Sequence, residues 1–248
     1  MSRRAEVRAA RERTVVVVVG ACGGCGASMI AGALALAWAR DDARVWLMEL
    51  DLERGDRGGA WDLPVERTLD DLAVVADELD TGHLRRAVHV HPSGVRVVLA
   101  GGGPTTTMWS TTDVGRLLDA AEGDDDAETR LIVDTGPGWS LAAGLATERP
   151  LSVLLASPPT LSGARRARRL LGLLGVSGAD SRCGLVINHG PGAEEIGARA
   201  FGRAVGAPVL AELPWEEREG VHLSAGRWPE GRRARLGHAV AHLARAVT

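Results

Sequence analysis

Apolar runs alternate along the chain with segments of helical period. Thr14–Val19 is a β-branched run, a Gly-rich stretch follows, and Ser28–Arg40 has helical character. Val45–Leu50, Val95–Leu99, Leu131–Val133, Leu151–Ala156, Leu185–Ile187 and Val209–Leu213 read as further strands. Helices are expected around Leu69–Glu78, Thr112–Glu122, Ser140–Glu148, Thr160–Leu174 and Glu194–Val205, with a last one from about Arg232 to Ala246. Strands that are apolar throughout, alternating with helices, predict a mostly parallel sheet buried on both faces. The expected fold class is therefore α/β, a three-layer twisted sheet with helices on both sides. Ligands of such sheets bind beyond the carboxyl ends of the strands. No internal repeat and no Pro/Ser-rich linker is visible, and the acidic stretch Glu122–Glu128 reads as a solvated loop. One domain over 14–248, preceded by a charged tail over 1–13, is the economical division.

Composition narrows the chemistry. The 248 residues suit one large α/β domain, and a net charge of -3 argues neither for nucleic acid nor for membrane. All 29 basic residues are Arg; Lys, Tyr and Gln are absent, and Asn188 is the single Asn. Chemistry that needs a Lys or a Tyr of this chain is thereby excluded. Three cysteines, Cys22, Cys25 and Cys183, give no disulfide framework. Met1–Arg13 has no apolar core of a secretory signal, and no apolar stretch reaches the roughly 18 residues that span a bilayer. A cytoplasmic location is expected.

The first strand runs into Gly20-Ala21-Cys22-Gly23-Gly24-Cys25-Gly26-Ala27-Ser28, and a helix begins at once. Glycines allow a tight turn with accessible N–H groups, and the helix N-terminus adds partial positive charge. This order of elements predicts a phosphate site. Two families fit the spacing. Gly20, Gly24 and Gly26 resemble the G-x-x-x-G-x-G of short-chain dehydrogenases, whose catalytic Tyr and Lys this chain lacks. Only a non-catalytic dinucleotide binder survives on that side.

Cys22-Gly23-Gly24-Cys25-Gly26-Ala27-Ser28 aligns without a gap with the deviant Walker A loop of the MinD/ParA group, K-G-G-x-G-K-[ST]. Asp51, in Glu49-Leu50-Asp51-Leu52-Glu53-Arg54-Gly55-Asp56, resembles the switch I segment. Asp134, in Leu131-Ile132-Val133-Asp134-Thr135-Gly136-Pro137-Gly138, resembles Walker B and switch II. Val186-Ile187-Asn188 is similar to the strand whose Asn reads adenine, and Leu213-Pro214 to the strand end that flanks the base. Within the group the likeness is closest to CpaE/TadZ-like proteins of pilus-assembly, secretion and septum-site loci. Thr68-Leu69-Asp70-Asp71-Leu72, Pro92-Ser93-Gly94-Val95 and the Arg-rich helix after Leu151–Ala156 carry that closer likeness. Many CpaE-like proteins have an additional receiver-like domain before the first strand; 13 residues precede it here, so a targeting role of such a domain is not expected.

The resemblance implies a P-loop NTPase fold that holds ATP through Gly23, Gly24, Cys25, Gly26, Ala27, Ser28 and Met29, with Asn188 and Pro214 beside the adenine. It implies Mg²⁺ on Ser28 with Asp51 and Asp134 nearby, and turnover, if any, through Asp51. Two positions depart from it. The lysine that grips the β- and γ-phosphates is Ala27, and the lysine that reaches a dimer partner's nucleotide is Cys22. Losing a charged hydrogen bond costs about 1.5–3 kcal/mol, or roughly 10- to 150-fold in affinity. Binding is weakened rather than forbidden. Hydrolysis, which depends almost wholly on stabilising charge in the transition state, is expected to be very slow or absent. Glu49 replaces a common Asp, and Met29 a common Thr.

The expectation is a degenerate MinD/ParA-like pseudo-ATPase acting as a dimeric scaffold or localisation factor for a Tad-type pilus or secretion apparatus, or for septum placement. Its partner would be a motor ATPase or another component of that locus, and the protein could sit peripherally at a membrane, pole or septum. The rival is a working ParA/MinD-type ATPase on DNA or membrane, and the third reading is the non-catalytic dinucleotide binder. Cys22-x-x-Cys25, with Cys183 and His189 as further ligands, has the spacing of a redox or metal motif. Arg165, Arg166, Arg168 and Arg169 share one helical face, either solvated or turned to an acidic partner or DNA. Leu236, Val240, Leu243 and Val247 form a stripe that either docks on the sheet or grips a membrane. His89, His91, His238 and His242 read as surface residues, while Trp109, Trp139, Trp215 and Trp228 fall in loops or at strand ends.

Overall fold

The computed structural model describes residues 14–41, 44–101, 109–123, 129–138, 140, 152–175, 182–192 and 196–247. Eight strands form one sheet in the order β3-β4-β2-β5-β1-β6-β7-β8. They are β1 (Thr14–Gly20), β2 (Arg44–Glu49), β3 (His89–Val90), β4 (Arg96–Val98), β5 (Thr129–Pro137), β6 (Ser152–Ser157), β7 (Cys183–Asn188) and β8 (Val209–Leu213). Every pairing is parallel except that of β3 with β4, which share the turn between them. The helices are α1 (Ala27–Arg40), α2 (Arg57–Ala60), α3 (Leu69–Ala73), α4 (Thr81–Ala87), α5 (Thr111–Glu122), α6 (Leu161–Leu173), α7 (Ala198–Val205), α8 (Glu217–Ser224) and α9 (Arg235–Ala246).

The strand alternation sorts side chains into two cores. Val17 and Val19 of β1 pack toward α5, α6 and α7, which contribute Leu117, Leu171 and Phe201. Val16 and Val18 pack toward α1, α8 and α9, which contribute Leu34, Leu223 and Val240. Both faces of a central strand thus lie in dry surroundings, which is why its sequence is apolar throughout. Helix α1 is apolar on all sides and correspondingly buried from Ile30 to Trp38, between the sheet and the α8–α9 pair. The Trp38 indole N–H donates to the Ala244 carbonyl at 3.1 Å and fastens α9 down. Leu236, Val240 and Leu243 are buried in this second core, with Val247 packed at its margin, so the stripe docks on the body of the protein. Among the described residues no helix is long and apolar enough to cross a membrane.

Element boundaries differ from expectation at several points. The segment Leu69–Glu78 is divided into α3, capped at Thr68, and a 3-10 turn over Ala76–Glu78, with the β-branched Val74 and Val75 at the break. Helix α7 begins at Ala198 behind Gly197, later than Glu194, and α9 begins at Arg235 rather than Arg232. Helices α4 and α8 were not anticipated. His91 is buried against Trp61, with ring centroids 4.7 Å apart, rather than on the surface, and burial lowers its pKa. Trp109 is buried and Trp215 is exposed. The tail over 1–13, residues 124–128 of the acidic loop, Trp139, and the helix expected over Ser140–Glu148 past its first residue lie outside the described residues.

Candidate functional site

The loop after β1 turns over Gly24 and Gly26, at φ 72° and 87°. Gly26 is the N-cap of α1 in the left-handed region, and a Cβ there would run into the Asn188 amide. No other residue suits that position. The first turn of α1 has neither a side-chain cap nor an acidic residue. Its leading N–H groups, which helix geometry leaves without intrahelical partners, are the donors an anion would take. Ser28 presents its side chain to solvent at this turn, while Ala27 is buried and adds no charge. The turn from Gly23 to Ser28 could therefore offer a phosphate a cradle of backbone donors at the α1 N-terminus, although the Cys25 N–H is already turned back on the Cys22 carbonyl at 3.4 Å.

The carboxyl ends of β2 and β5 bring an acidic group beside this cradle. Glu49 and Asp134 are register partners, and both are buried. Between them lies a residue absent from the sequence-level candidates, Arg57, itself 5% exposed. Its Nη2 donates to Asp134 Oδ2 at 2.8 Å and to the Ser28 carbonyl at 2.8 Å. Its backbone N–H donates to Glu49 Oε1 at 2.9 Å, and its guanidinium lies 5.2 Å from the centroid of the Trp61 ring. A Cβ on Gly32 would sit 2.6 Å from Arg57 Nη1 and 2.9 Å from Trp61. Gly inside a helix costs about 0.5–1 kcal/mol relative to Ala. Here it makes room for the guanidinium against α1. The other Asp134 oxygen, Oδ1, accepts the Gly136 N–H at 3.2 Å. Both oxygens are thus engaged within the chain. As placed, Asp134 has its charge matched by Arg57, which weakens the Mg²⁺ role that the resemblance implies for it.

Asp51 stands just outside this buried group. Its carboxylate lies over Gly136 and 3.7 Å from Arg54, an exposed and therefore weak pair. Burial raises its pKa, against a lowering by Arg54. Glu49 is more deeply set. Its second oxygen accepts the Ala100 N–H at 3.1 Å, so it ties β2 to the start of α2 and to the segment after β4. Burial pushes its pKa above the ordinary 4.5, and Arg57 pulls it back only in part. A carboxyl with a raised folded-state pKa contributes stability that is fully present below the unfolded value and is lost as pH rises through the folded one. Glu49→Gln should accordingly improve relative to the parent protein as pH rises from about 4 to 7. Urea midpoints for the two proteins at both ends of that range check this, and a constant difference would refute it.

A cavity of about 590 Å³ opens from the loop. Gly24, Gly26 and Met29 line it together with Asn188, Pro214 and Trp215, and α8 borders it with Gly220 and Val221. The lining is largely apolar, as suits a flat organic ring with few polar handles. Gly24 and Gly26 of the loop, Asn188 and Pro214 thus line one cavity, while Ser28, Asp51 and Asp134 are not among its lining residues. Asn188 also has a local duty: its amide donates to the Cys25 carbonyl at 3.1 Å and braces the loop. Trp215 and α8 were missed because a short amphipathic helix with one buried residue, Leu223, carries little periodic signal.

The remaining candidates do not assemble. None of the cysteines is in a disulfide. Cys25 is buried with its sulfur against Gly20, and burial raises its pKa. Cys183 belongs to the opposite core from Cys25, and His189 lies 3.4 Å from Glu212. Among the described residues no cluster of three or more His, Cys, Asp and Glu is placed to hold a metal. Arg165, Arg166, Arg168 and Arg169 are exposed on α6, opposite the buried Ala164, Ala167, Leu170 and Leu171.

No family model matches the sequence, and no curated protein does. Solved structures do match. A ParA family ATPase from Chlorobium tepidum superposes with a TM-score of 0.79 at 21% identity, covering 94% of this chain and 99% of that one. The septum site-determining protein MinD from Pyrococcus horikoshii, complexed with Mg-ADP, gives 0.72 at 20% identity over 94% of both chains. MinD in the MinC:MinD cell division complex of Aquifex aeolicus gives 0.70 at 17% identity, again over 94% of both. The eight-stranded, mostly parallel sheet with helices on both faces is therefore the fold of the ParA/MinD ATPases.

Proposed function

We propose that this protein is a degenerate MinD/ParA-like pseudo-ATPase, one that holds a nucleotide at its glycine loop and does not turn it over. The carrying observation is the buried Arg57–Asp134 pair, which commits within the chain the β5 carboxylate that the resemblance places near Mg²⁺. Ala27 and Cys22 at the lysine positions point the same way. The backbone N–H groups over Gly23 to Ser28 would hold the phosphates. The cavity beside Met29, Asn188 and Pro214 would receive the base. ATP supplies bound charge and shape there, and the chain's own part is to orient it and to register its presence through the loop that Asn188 braces.

A protein of this kind acts by being positioned. Dimerisation around nucleotide, and service as a scaffold or localisation factor for a Tad-type pilus or secretion apparatus or for septum placement, follow from the CpaE/TadZ-like motifs. The solvated Arg face of α6 suits an acidic surface on a partner, such as a motor ATPase of the same locus.

Calorimetric titration with ATP, with NADPH as control and phosphate release followed in parallel, tests the proposal. The expected result is weak ATP binding, no NADPH binding and no turnover. Sustained turnover that is lost in Asp51→Asn would refute the pseudo-ATPase reading. NADPH binding would move the protein to the dinucleotide binders.

A further inference from the structure

Resting on the nucleotide reading of the loop, we infer that Arg57 is the resident cation of this site and takes the place of the divalent metal, so that nucleotide binds without Mg²⁺. Three connected features carry this. The guanidinium is buried, and one nitrogen bridges Asp134 and the Ser28 carbonyl at 2.8 Å each. It therefore fixes its positive charge to the first turn of α1, the turn whose N–H groups form the phosphate cradle. The surroundings are shaped to it: Gly32 leaves the room it occupies, Trp61 covers it, and Glu49 anchors its backbone. The carboxylate that would steady a hydrated Mg²⁺ is already paired: Asp134 Oδ2 accepts from the buried guanidinium of Arg57, which matches its charge, and Oδ1 accepts the Gly136 N–H.

The charge balance agrees. A divalent ion placed against Asp134 would also meet the fixed charge of Arg57 in a poorly solvated setting, where like charges repel strongly. A guanidinium, being part of the chain, cannot be removed by chelators. The ligand class selected is a nucleotide polyphosphate as the free anion rather than its metal complex. Such a site responds to nucleotide level and ignores Mg²⁺.

The experiment uses the full chain. ATP affinity is measured with Mg²⁺ and with EDTA, and Mn²⁺ binding is measured separately by electron paramagnetic resonance, without nucleotide. The expected result is an ATP dissociation constant that changes less than about threefold between the two conditions, with no Mn²⁺ bound. A loss of about tenfold or more in EDTA overturns the inference. So does Mn²⁺ binding that disappears in Asp134→Asn. If ATP fails to bind in either condition, the nucleotide reading falls, and the Mn²⁺ result still decides whether Arg57 has displaced the metal. In Arg57→Gln, which frees Asp134, Mn²⁺ binding should appear; in Arg57→Lys, which keeps the charge, it should not.

Discussion

Arg57→Met should lower the stability of the protein by about 3–5 kcal/mol, the cost of leaving a buried carboxylate without its partner. At this chain length that is on the order of a 10 °C fall in Tm. The argument starts from burial: the side chains of Arg57 and Asp134 are 4% and 1% exposed, so solvent cannot replace the lost partner. Methionine fills much of the vacated volume, and the Arg57 backbone N–H can still reach Glu49, so the loss isolates the guanidinium. The double variant Arg57→Met/Asp134→Asn should recover most of the deficit. A neutral amide can still accept the Gly136 N–H, and apolar replacement of a buried ion pair is often close to neutral. The coupling across this cycle is the decisive quantity. Near-zero coupling from urea unfolding would mean that the pair does not form in solution, and both the proposed function and the metal-independent site would lose their main support.

That pair also shows where sequence reading ended. The strands were legible because a parallel sheet covered on both faces demands apolar runs such as Val15–Val19 and Val45–Met48, whatever the neighbouring elements are. The glycine loop was legible because Gly24 and Gly26 serve a local backbone need. Asp51, Asp134, Asn188 and Pro214 are named by the resemblance alone, through motifs that follow the strands. Arg57 obeys no such local rule. It pairs with a residue 77 positions away, and by pattern alone an Arg among glycines reads as a solvated turn. One trace was available: Gly32 interrupts an otherwise Ala- and Leu-rich helix, and a lone Gly there signals close approach by something else. Buried His91 was misplaced for the same reason, since its partners Trp61 and Gly226 come from distant segments.

Ala27→Lys should tighten ATP binding by roughly 10- to 150-fold, the worth of a charged hydrogen bond to phosphate. Ala27 opens α1 directly after the left-handed Gly26, with no capping side chain to compete for the ligand. A lysine introduced there has the stem length to leave the buried backbone position and bring its ammonium to the phosphates. Turnover should nevertheless stay at the background level. Asp134 remains bound to Arg57 in this variant, and phosphoryl transfer requires that charge be organised around the transition state, beyond what tight ground-state binding supplies. Affinity and hydrolysis are therefore expected to separate: calorimetry moves and phosphate release does not. Ala27→Leu controls for bulk at the same position and should show no gain in affinity. If Ala27→Lys folds normally and binds ATP no better, the phosphates do not lie on this loop. If it hydrolyses ATP as well as binding it, the missing lysine alone silenced the site, and Arg57 is a structural cation without a part in that silence.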